Sequence, residues 1–174
     1  MSTCSRPSLK SASAAFLSAA VGAAREREEA ALRIRLEAES RLREREMALR
    51  MEQEQKLALI AKLDNLQRLG INTVFFQVKP DGTALWRSDI LPWSDMLTGK
   101  IGEYPGYDPL QFMLDEAHKR GMKVHAWFNP YRVSTNTKPS TIAALNRTAY
   151  QTPSSVYVQH PEWVRISGDR FVLD

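Results

Sequence analysis

The residues best suited to chemistry in this sequence follow two predicted β-strands. Three polar residues lie at the end of the apolar run 72–78 or just after it, and four more lie in or just after the run 123–128. They are Gln77, Lys79 and Asp81 in the first group and His125, Asn129, Tyr131 and Arg132 in the second, with Trp93 in the loop between the runs. Ligands of parallel α/β folds bind at the carboxyl ends of the strands. Amides and charged groups bind hydroxyls and an aromatic ring stacks on an apolar sugar face, so this set favours a sugar.

Each of these residues also has a purely structural interpretation. His125 is equally compatible with a hydrogen-bonded core histidine. Asn129 precedes a proline, a pair typical of turns. Lys79 is compatible with a solvated strand end, and Trp86 and Trp93 with aromatic caps on the core. Taken one at a time, none of these residues is specific for a function.

Metal and disulfide chemistry have little support in the sequence. His118, His125 and His160 are not at ligand spacing, and no HExxH or paired-carboxylate motif occurs. Cys4 is the single cysteine, which excludes an internal disulfide and a cysteine-based zinc site. We therefore expect no metal and no cofactor.

A predicted amphipathic helix precedes the first strand. Its apolar stripe has the spacing i, i+1, i+4, i+7, i+10 and consists of Leu59, Ile60, Leu63, Leu66 and Leu69. Gly70 stands where a helix commonly ends in the left-handed conformation. The run 72–78, bounded by Gly70 and Pro80, is rich in β-branched and aromatic residues, which predicts a buried parallel strand.

A second helix and strand follow in the same order. Asp108 is the predicted N-cap of the helix, Pro109 its first residue and Gly121 its end. The run 123–128 is the second predicted strand. Helix, strand, helix and strand joined by short helix-to-strand turns imply parallel strands and an α/β fold.

Two long connections separate these elements. Residues 80–108 and 134–155 are predicted loops, the second with one short helix. Loops of such length are typically functional or disordered, and the aromatic residues of the first argue against disorder. Weaker strand signals occur at Tyr157 and at 171–173.

The N-terminal third has a different character. Residues 25–56 alternate Glu and Arg, and five pairs have the favourable i, i+4 spacing: Glu29–Arg33, Glu37–Arg41, Glu39–Arg43, Glu46–Arg50 and Glu52–Lys56. The apolar residues do not hold a heptad, which favours a single solvated helix over a coiled-coil dimer. Residues 1–24 are Ala-rich and are either a signal-like segment or an uncleaved helical start.

Charge and hydropathy exclude two classes of partner. The net charge of +4 is spread along the chain and acids interrupt the basic residues throughout, whereas nucleic-acid binding needs a basic face with stacking aromatics. No segment offers the ~20 apolar residues needed to span a bilayer. We therefore expect no nucleic acid and no transmembrane span.

Several short sequence motifs, taken in order along the chain, resemble those of a known family. The chain closely resembles the glycosyl-hydrolase-like 10 family over about residues 57–174. The motifs are Leu63–Leu66, Leu69–Val78, Pro80–Gly82, Ala84–Trp86, Pro92–Ser94, Leu97–Gly99, Gly106–Leu110, Glu116–Gly121 and His125–Arg132. The resemblance implies a TIM-barrel protein of the bacterial cell envelope, or a secreted one, some members of which act on peptidoglycan glycan strands.

Departures from the family pattern shape the predicted domains. A charged helix stands where the family has its first strand, and Lys79 stands where the family usually has Arg. The short motifs that carry the family's acidic residues are expected beyond Asp174. The resulting prediction is an α/β fold, a partial (β/α)8 TIM-type barrel preceded by a long charged α-helix. Its segments are the Ala-rich N-terminus 1–24, the Glu/Arg-rich helix 25–56 and the N-terminal part of the barrel, 57–174.

Three hypotheses follow for function. The first is a portion of a glycoside hydrolase that acts on a bacterial cell-envelope glycan. This portion is expected to be inactive, because hydrolysis needs two carboxyl groups ~5–9.5 Å apart. Asp81 is the one acid here expected to touch substrate, whereas Asp108 is expected to cap a helix and Asp95 and Glu103 to face solvent. The alternative is a non-catalytic interaction protein whose charged helix recruits a protein partner, with a residual sugar-binding half-barrel. The third is a chain whose unpaired strand edges prevent a stable fold.

Overall fold

The computed structural model describes the backbone of residues 9–174 and the side chains of residues 17–174. Cys4 and the first part of the predicted segment 1–24 lie outside the described residues. The chain divides into two compact units, which meet in sequence between Glu46 and Met47. The helices are α1 Leu9–Arg68, α2 Asp95–Thr98, α3 Pro109–Lys119, α4 Pro139–Arg147 and α5 Val156–Gln159; the strands are β1 Thr73–Lys79, β2 Lys123–Phe128, β3 Val164–Ser167 and β4 Arg170–Leu173. Two 3₁₀ turns cover Thr148–Tyr150 and Pro161–Trp163.

Helix α1 runs through both predicted helical segments without interruption over 60 residues. Gly70 follows its last turn as predicted, with φ +77°, and the amide of Ile71 donates to the Leu66 carbonyl at 3.0 Å. Of the predicted stripe, Leu63 is buried. Leu69 is 68% exposed, so its place on the core face was a wrong prediction: the helix ends one residue earlier, and the chain turns away at that point.

The charged part of α1 forms fewer of the predicted ion pairs than its spacing allows. Of the five pairs, Glu52–Lys56 is the one within 4.0 Å in the described part of the chain. Arg35 and Arg50 instead contact the glutamate four residues C-terminal to each. Because Glu and Arg alternate here, an arginine reaches a partner on either side, and such exposed pairs contribute little stability. Within the first unit, apolar residues such as Ile34 and Leu42 are exposed, and a helix-mediated protein partner stays a prediction.

The two predicted strands pair in parallel, as expected. The prediction that the first strand is buried was wrong: Phe75 is 71% exposed, because one side of the sheet packs on the core and the other faces solvent. Val74 lies opposite Val124 and Phe76 opposite Ala126, and the register shifts between Gln77 and Lys79. The amide of Lys123 donates to the Asn72 carbonyl at 2.8 Å, which fixes the start of the pairing.

Helix α3 begins at the predicted Pro109 and ends at Lys119, with the predicted Gly121 following its C-cap. The Asp108 carboxylate accepts the Gln111 amide at 3.0 Å, and Pro109 occupies the first turn. Gly121 has φ +71°, a conformation that costs a residue without Cβ nothing. The same Asp108 carboxylate accepts the Arg87 amide at 3.0 Å, which ties the long loop to the start of the helix.

The first core cluster lies between the sheet and the two helices α1 and α3. Its fully buried members are Leu63, Met113, Ala117 and Met122, and partly buried neighbours are Leu59, Leu66, Val74, Phe76 and Val124. Alternate strand residues therefore face this cluster, and the residues between them, including Gln77 and His125, face the opposite side of the sheet.

The C-terminal elements form a second core cluster. Val133, Leu145 and Phe171 are buried in it. Strand β4 confirms the signal at 171–173 and pairs with β3 in an antiparallel hairpin, but the strand predicted at Tyr157 is wrong. Ser155 caps α5 by accepting the Tyr157 amide at 3.3 Å, and the Tyr157 ring packs on Phe171 with centroids 5.0 Å apart.

The architecture is thus a mixed α/β fold with a long N-terminal helix and few strands. A left-handed glycine and a short turn lead into the start of each parallel strand, and the polar residues lie at the opposite, carboxyl ends.

None of the helices in the described part of the chain is long and apolar enough to cross a membrane.

Candidate functional site

The carboxyl ends of β1 and β2 lie side by side. Lys79 is paired with Phe128, and the Asn129 amide donates to the Lys79 carbonyl at 2.9 Å. Both long connections leave the sheet at this point, so the polar residues after the two strands meet at one edge. We call Lys79, Asp81, Asn129 and Arg132 the strand-end cluster.

Lys79 joins the two strand ends. Its ammonium group donates to the Asn129 carbonyl at 2.8 Å and to the Pro130 carbonyl at 3.4 Å. The lysine is half-buried rather than a freely solvated strand end. Its charge therefore stabilises the backbone that leads into the second loop.

Asn129 and Arg132 make the reciprocal contacts. The side-chain amide of Asn129 donates to the Pro80 carbonyl at 3.0 Å, and the Arg132 guanidinium donates to the same oxygen at 3.5 Å. Three predicted site residues are thus engaged with backbone carbonyls across the two strand ends. The side-chain carbonyl of Asn129 and the remaining Arg132 donors take no part in these bonds and keep hydrogen-bonding capacity.

Asp81 lies in a tight turn after β1. Its carboxylate accepts both the Thr83 amide at 3.0 Å and the Thr83 hydroxyl at 2.6 Å. The Gly82 amide donates to the Val133 carbonyl at 3.1 Å, and a Cβ on Gly82 would lie 3.0 Å from that oxygen. Glycine therefore permits the close approach that holds the turn beside the second loop.

Burial dominates the electrostatics of this cluster. Loss of solvent lowers the pKa of Lys79, and the nearby Asp81 charge opposes that shift. Loss of solvent also raises the pKa of Asp81; the Thr83 hydroxyl opposes this, and the charge of Asp95 adds to it. Both charged forms are disfavoured by burial, as is common where titratable groups serve a function.

The raised pKa of Asp81 gives a testable dependence of stability on pH. A carboxyl group whose pKa is higher in the folded than in the unfolded state favours folding below its ordinary value of 3.8, and that contribution is lost as pH rises through the folded-state pKa. Asparagine removes the buried charge, so we expect Asp81→Asn to raise the Tm at neutral pH. At about pH 3, where the carboxyl group is itself protonated, the variant should lose this advantage. Calorimetry at the two pH values measures the difference. Asp89→Asn, at an exposed loop residue, is the control; an Asp81 effect independent of pH would contradict the assignment.

The other strand residues of the set lie on the solvent-facing side of the sheet. His125 is exposed and stacks on Phe75 with ring centroids 5.1 Å apart, so the core-histidine interpretation does not hold. Gln77 lies opposite Trp127 in the register. The sheet thus presents an amide, an imidazole and two aromatic rings beside the strand-end cluster.

The two aromatic residues of the predicted site have different surroundings. Tyr131 is 69% exposed and follows Asn129 and Pro130 directly. Trp93 is half-buried in the first loop, where its ring packs on Tyr104 with centroids 5.6 Å apart and its backbone bridges to Ala84. Trp93 therefore packs within the first loop, and Tyr131 is the more exposed of the two rings.

Two structural supports of the site were not predicted. Thr83 is buried and holds Asp81; a short polar residue two positions after an Asp is a recognisable turn signal. The Tyr107 hydroxyl donates to the Gln55 side chain at 3.0 Å, and Lys56 lies 4.6 Å from the centre of the Tyr107 ring. This second contact links α1 to the first loop across about fifty residues, which no local pattern indicates.

Within the described residues, no three His, Cys, Asp or Glu side chains are grouped so that they could hold a metal ion.

Comparison with known proteins identifies the family. The chain belongs to the glycosyl hydrolase-like 10 family, whose family model matches residues 36–174; the match begins within α1, N-terminal to the expected start near residue 57. The chain is 82% identical over 117 residues to glycosyl hydrolase DigH of Escherichia coli (strain K12), covering 67% of this chain and 27% of that protein. It is 43% identical over 115 residues to glycosyl hydrolase YngK of Bacillus subtilis (strain 168), covering 66% of this chain and 21% of that protein. The chain therefore spans about a quarter of the length of the curated relatives that it matches.

Proposed function

We propose that this chain forms part of the substrate cleft of a glycoside hydrolase that acts on a bacterial cell-envelope glycan, the glycan strands of peptidoglycan, and that the chain alone is an incomplete and inactive portion. The observation that carries this proposal is the strand-end cluster, which lies beside exposed aromatic rings in a member of a glycosyl hydrolase-like family. The fold belonging to this proposal is a partial (β/α)8 barrel over residues 57–174, preceded by the charged helix 25–56 and the Ala-rich segment 1–24.

The chemistry of the cleft fits a sugar. Gln77 offers an amide, and Arg132 and Asp81 retain hydrogen-bonding capacity beyond their contacts with the protein. The exposed Tyr131 ring supplies the apolar surface on which a pyranose ring stacks. Ligand sites of this kind combine a few convergent polar groups with aromatic walls.

The carboxyl groups support the absence of hydrolysis in this chain alone. Asp81 is the acid at the strand ends, and both carboxylate oxygens of Asp108 are used, one by Gln111 and the other by Arg87. Asp95 and Glu103 are exposed in the first loop, as predicted. A glycosidase needs a general acid and a second carboxylate held on opposite sides of one bond, and one half-buried acid does not supply that pair.

A location in the bacterial cell envelope, or outside the cell, accompanies the proposed substrate. Peptidoglycan glycan strands are found there, and the family resemblance points the same way. Fractionation of the native host would assign it.

Glycan binding by the full chain is the test of this proposal. We expect Tyr131→Ala to weaken binding to purified, peptide-free glycan strands by about five- to tenfold, the ~1 kcal/mol typical of a significant aromatic contact. Gln77→Ala should weaken binding without lowering the Tm, because the side chain lies on the solvent-facing side of the sheet. Tyr150→Ala removes an aromatic ring that is 97% exposed and distant in sequence from the strand ends, and it should bind as the wild type does.

Two outcomes would count against the proposal. Equal binding by the wild type and Tyr131→Ala would remove the cleft from consideration. Release of soluble sugar fragments by the wild-type chain, abolished in Asp81→Asn, would show that the chain is catalytic on its own. Mass spectrometry of the supernatant detects such fragments.

A further inference from the structure

The last part of the charged helix, residues 47–56 of α1, belongs to the second compact unit. Three of its side chains, Glu52, Gln55 and Lys56, are half-buried, whereas Gln53 and Glu54 between them are exposed. Positions three and four apart lie on one face of a helix, so the half-buried side chains share a face. That face contacts the first loop, 80–108, and we call its contacts the helix–loop latch.

Gln55 holds the first loop at two separate places. Its side-chain nitrogen Nε2 donates to the Leu97 carbonyl at 2.7 Å, and its oxygen Oε1 accepts the Tyr107 hydroxyl at 3.0 Å. Leu97 lies in α2, and Tyr107 lies just before α3. One amide group therefore uses both a donor and its acceptor to fix the middle and the end of the loop.

Lys56 and Glu52 complete the latch around the Tyr107 ring. The Lys56 ammonium group lies 4.6 Å from the centre of that ring and 5.5 Å from the centre of the Phe112 ring, and it pairs with the Glu52 carboxylate. Gly106 has φ +91°, and a Cβ there would lie 2.5 Å from the Glu52 carboxylate. Glycine at this position therefore lets the loop approach the helix closely.

The part of the loop held by Gln55 is tied in turn to the strand-end cluster. Helix α2, in which Leu97 lies, has Ser94 as its N-cap. Ser94 is fully buried, and its amide donates to the Ala84 carbonyl at 3.0 Å. Ala84 directly follows Thr83, which holds the carboxylate of the cluster. A series of direct contacts therefore connects α1 through α2 to the candidate site.

The two ends of the first loop are held by other bonds. The Leu85 amide donates to the Val78 carbonyl at 3.0 Å, and the Leu110 amide donates to the Leu85 carbonyl at 3.1 Å. The Asp108 carboxylate accepts the Arg87 amide at 3.0 Å. Loss of the latch should therefore free the middle of the loop and leave the sheet and α3 folded.

We propose that Gln55 and Lys56 are positioning residues for the cleft: through the latch they hold α2 and the loop beside the strand-end cluster, and they do not contact the ligand themselves. Their effect on glycan binding rests on the function proposed above, whereas their effect on the loop does not. A loop that is already ordered loses less conformational freedom when a ligand binds, and this increases affinity. The charged helix thereby contributes to binding from outside the cleft.

Hydrogen exchange of the full chain tests the latch itself. The amides of Leu97, Gly99 and Gly102 donate to carbonyls within the loop. In Gln55→Ala they should exchange about tenfold faster or more, because local opening then costs less free energy, while the amides of β1 and β2 keep their protection. Gln53→Ala removes the same side chain from an exposed position of the same helix and should exchange as the wild type does.

Binding to purified, peptide-free glycan strands tests the positioning role. We expect Gln55→Ala and Lys56→Met each to weaken binding by about fivefold, and Gln53→Ala to bind as the wild type does. Lys56→Arg keeps a cation over the Tyr107 ring and should restore binding. Tyr107→Phe removes one hydrogen bond of Gln55 and keeps the ring, so it should have a smaller effect; it decides the result if Gln55→Ala does not fold.

Titration of Asp81 provides a measurement that a loss of stability alone would not change. Burial raises the pKa of Asp81, and the charge of Asp95 on α2 adds to this effect, against the opposing effects of Thr83 and Lys79. If the latch holds α2 in place, the carboxyl group of Asp81 should titrate at lower pH in Gln55→Ala than in the wild type. NMR of the carboxyl carbon measures the difference, with Gln53→Ala as the control.

The outcomes separate this inference from the proposed function. Unchanged exchange of the loop amides in both Gln55→Ala and Tyr107→Phe would overturn the latch. Faster exchange with unchanged glycan binding and an unchanged Asp81 titration would overturn the positioning role and leave the proposed function standing. A wild-type chain that binds no glycan would overturn the proposed function and the positioning role together, and exchange would still decide whether the latch holds the loop.

Discussion

Replacing Leu63 by alanine is expected to lower the free energy of unfolding by ~2–5 kcal/mol, the range for deleting a buried leucine side chain from a core. Leu63 is 1% exposed and is the residue of α1 that is fully buried in the first core cluster. It contacts the layer formed by Met113, Ala117 and Met122, so its loss leaves a cavity where the helix meets both α3 and the sheet. With a typical domain stability of only ~5–15 kcal/mol, this substitution alone threatens the fold.

Leu57→Ala is the matched control, because Leu57 lies on the same helix and is 65% exposed. Its substitution should change the free energy of unfolding by no more than ~0.5 kcal/mol. Urea titration, monitored by tryptophan fluorescence and circular dichroism, measures both free energies of unfolding. The slopes of these free energies against urea concentration (m values) are compared to confirm that the unfolded states are alike. Similar losses for the two variants would mean that α1 is not packed through Leu63.

The elements predicted best are those whose signals are local. The N-cap of α3 at Asp108 and its end at Gly121 are set by side-chain and backbone preferences within a few residues. The strands 73–79 and 123–128 are marked by β-branched and aromatic residues between turn formers. These features need no knowledge of the rest of the chain, so the sequence contains them in full.

The errors occur where tertiary contacts or single-residue boundaries decide. Leu69 has the spacing of the apolar stripe, yet the helix ends before it and leaves it exposed. Tyr157 has strong strand propensity, but the Ser155 cap starts a short helix there and the ring finds its apolar surface on Phe171. Propensity is a weak prior that packing overrides.

The candidate site shows the same division. The polar residues after β1 lie close to those after β2 because the two strands pair in parallel, which the order of elements predicts. The partners of Lys79 do not, because its ammonium group contacts carbonyls fifty residues away. From the sequence, this lysine was a ligand contact or a solvated strand end; in the structure it joins two loops. Its role towards a ligand stays a prediction.

Replacing Thr148 by valine is expected to lower the free energy of unfolding by ~1–3 kcal/mol, although the two side chains have nearly the same shape. The Thr148 hydroxyl accepts the Ser155 amide at 2.9 Å and donates to the Leu145 carbonyl at 2.7 Å. Both Thr148 and Ser155 have 0% exposure. Valine would therefore leave a buried amide without an acceptor, and water cannot replace the lost hydroxyl.

Thr135→Val makes the same chemical change at an exposed position and should alter the free energy of unfolding by ~0.5 kcal/mol or less. Hydrogen exchange separates loss of this bond from a packing effect: the Ser155 amide should be protected in the wild type and in Thr135→Val, and should exchange faster in Thr148→Val. A Thr148→Val protein as stable as the wild type, with the Ser155 amide still protected, would show that another group accepts this amide. The buried bond would then not be what holds the segment between α4 and α5 against the second core cluster.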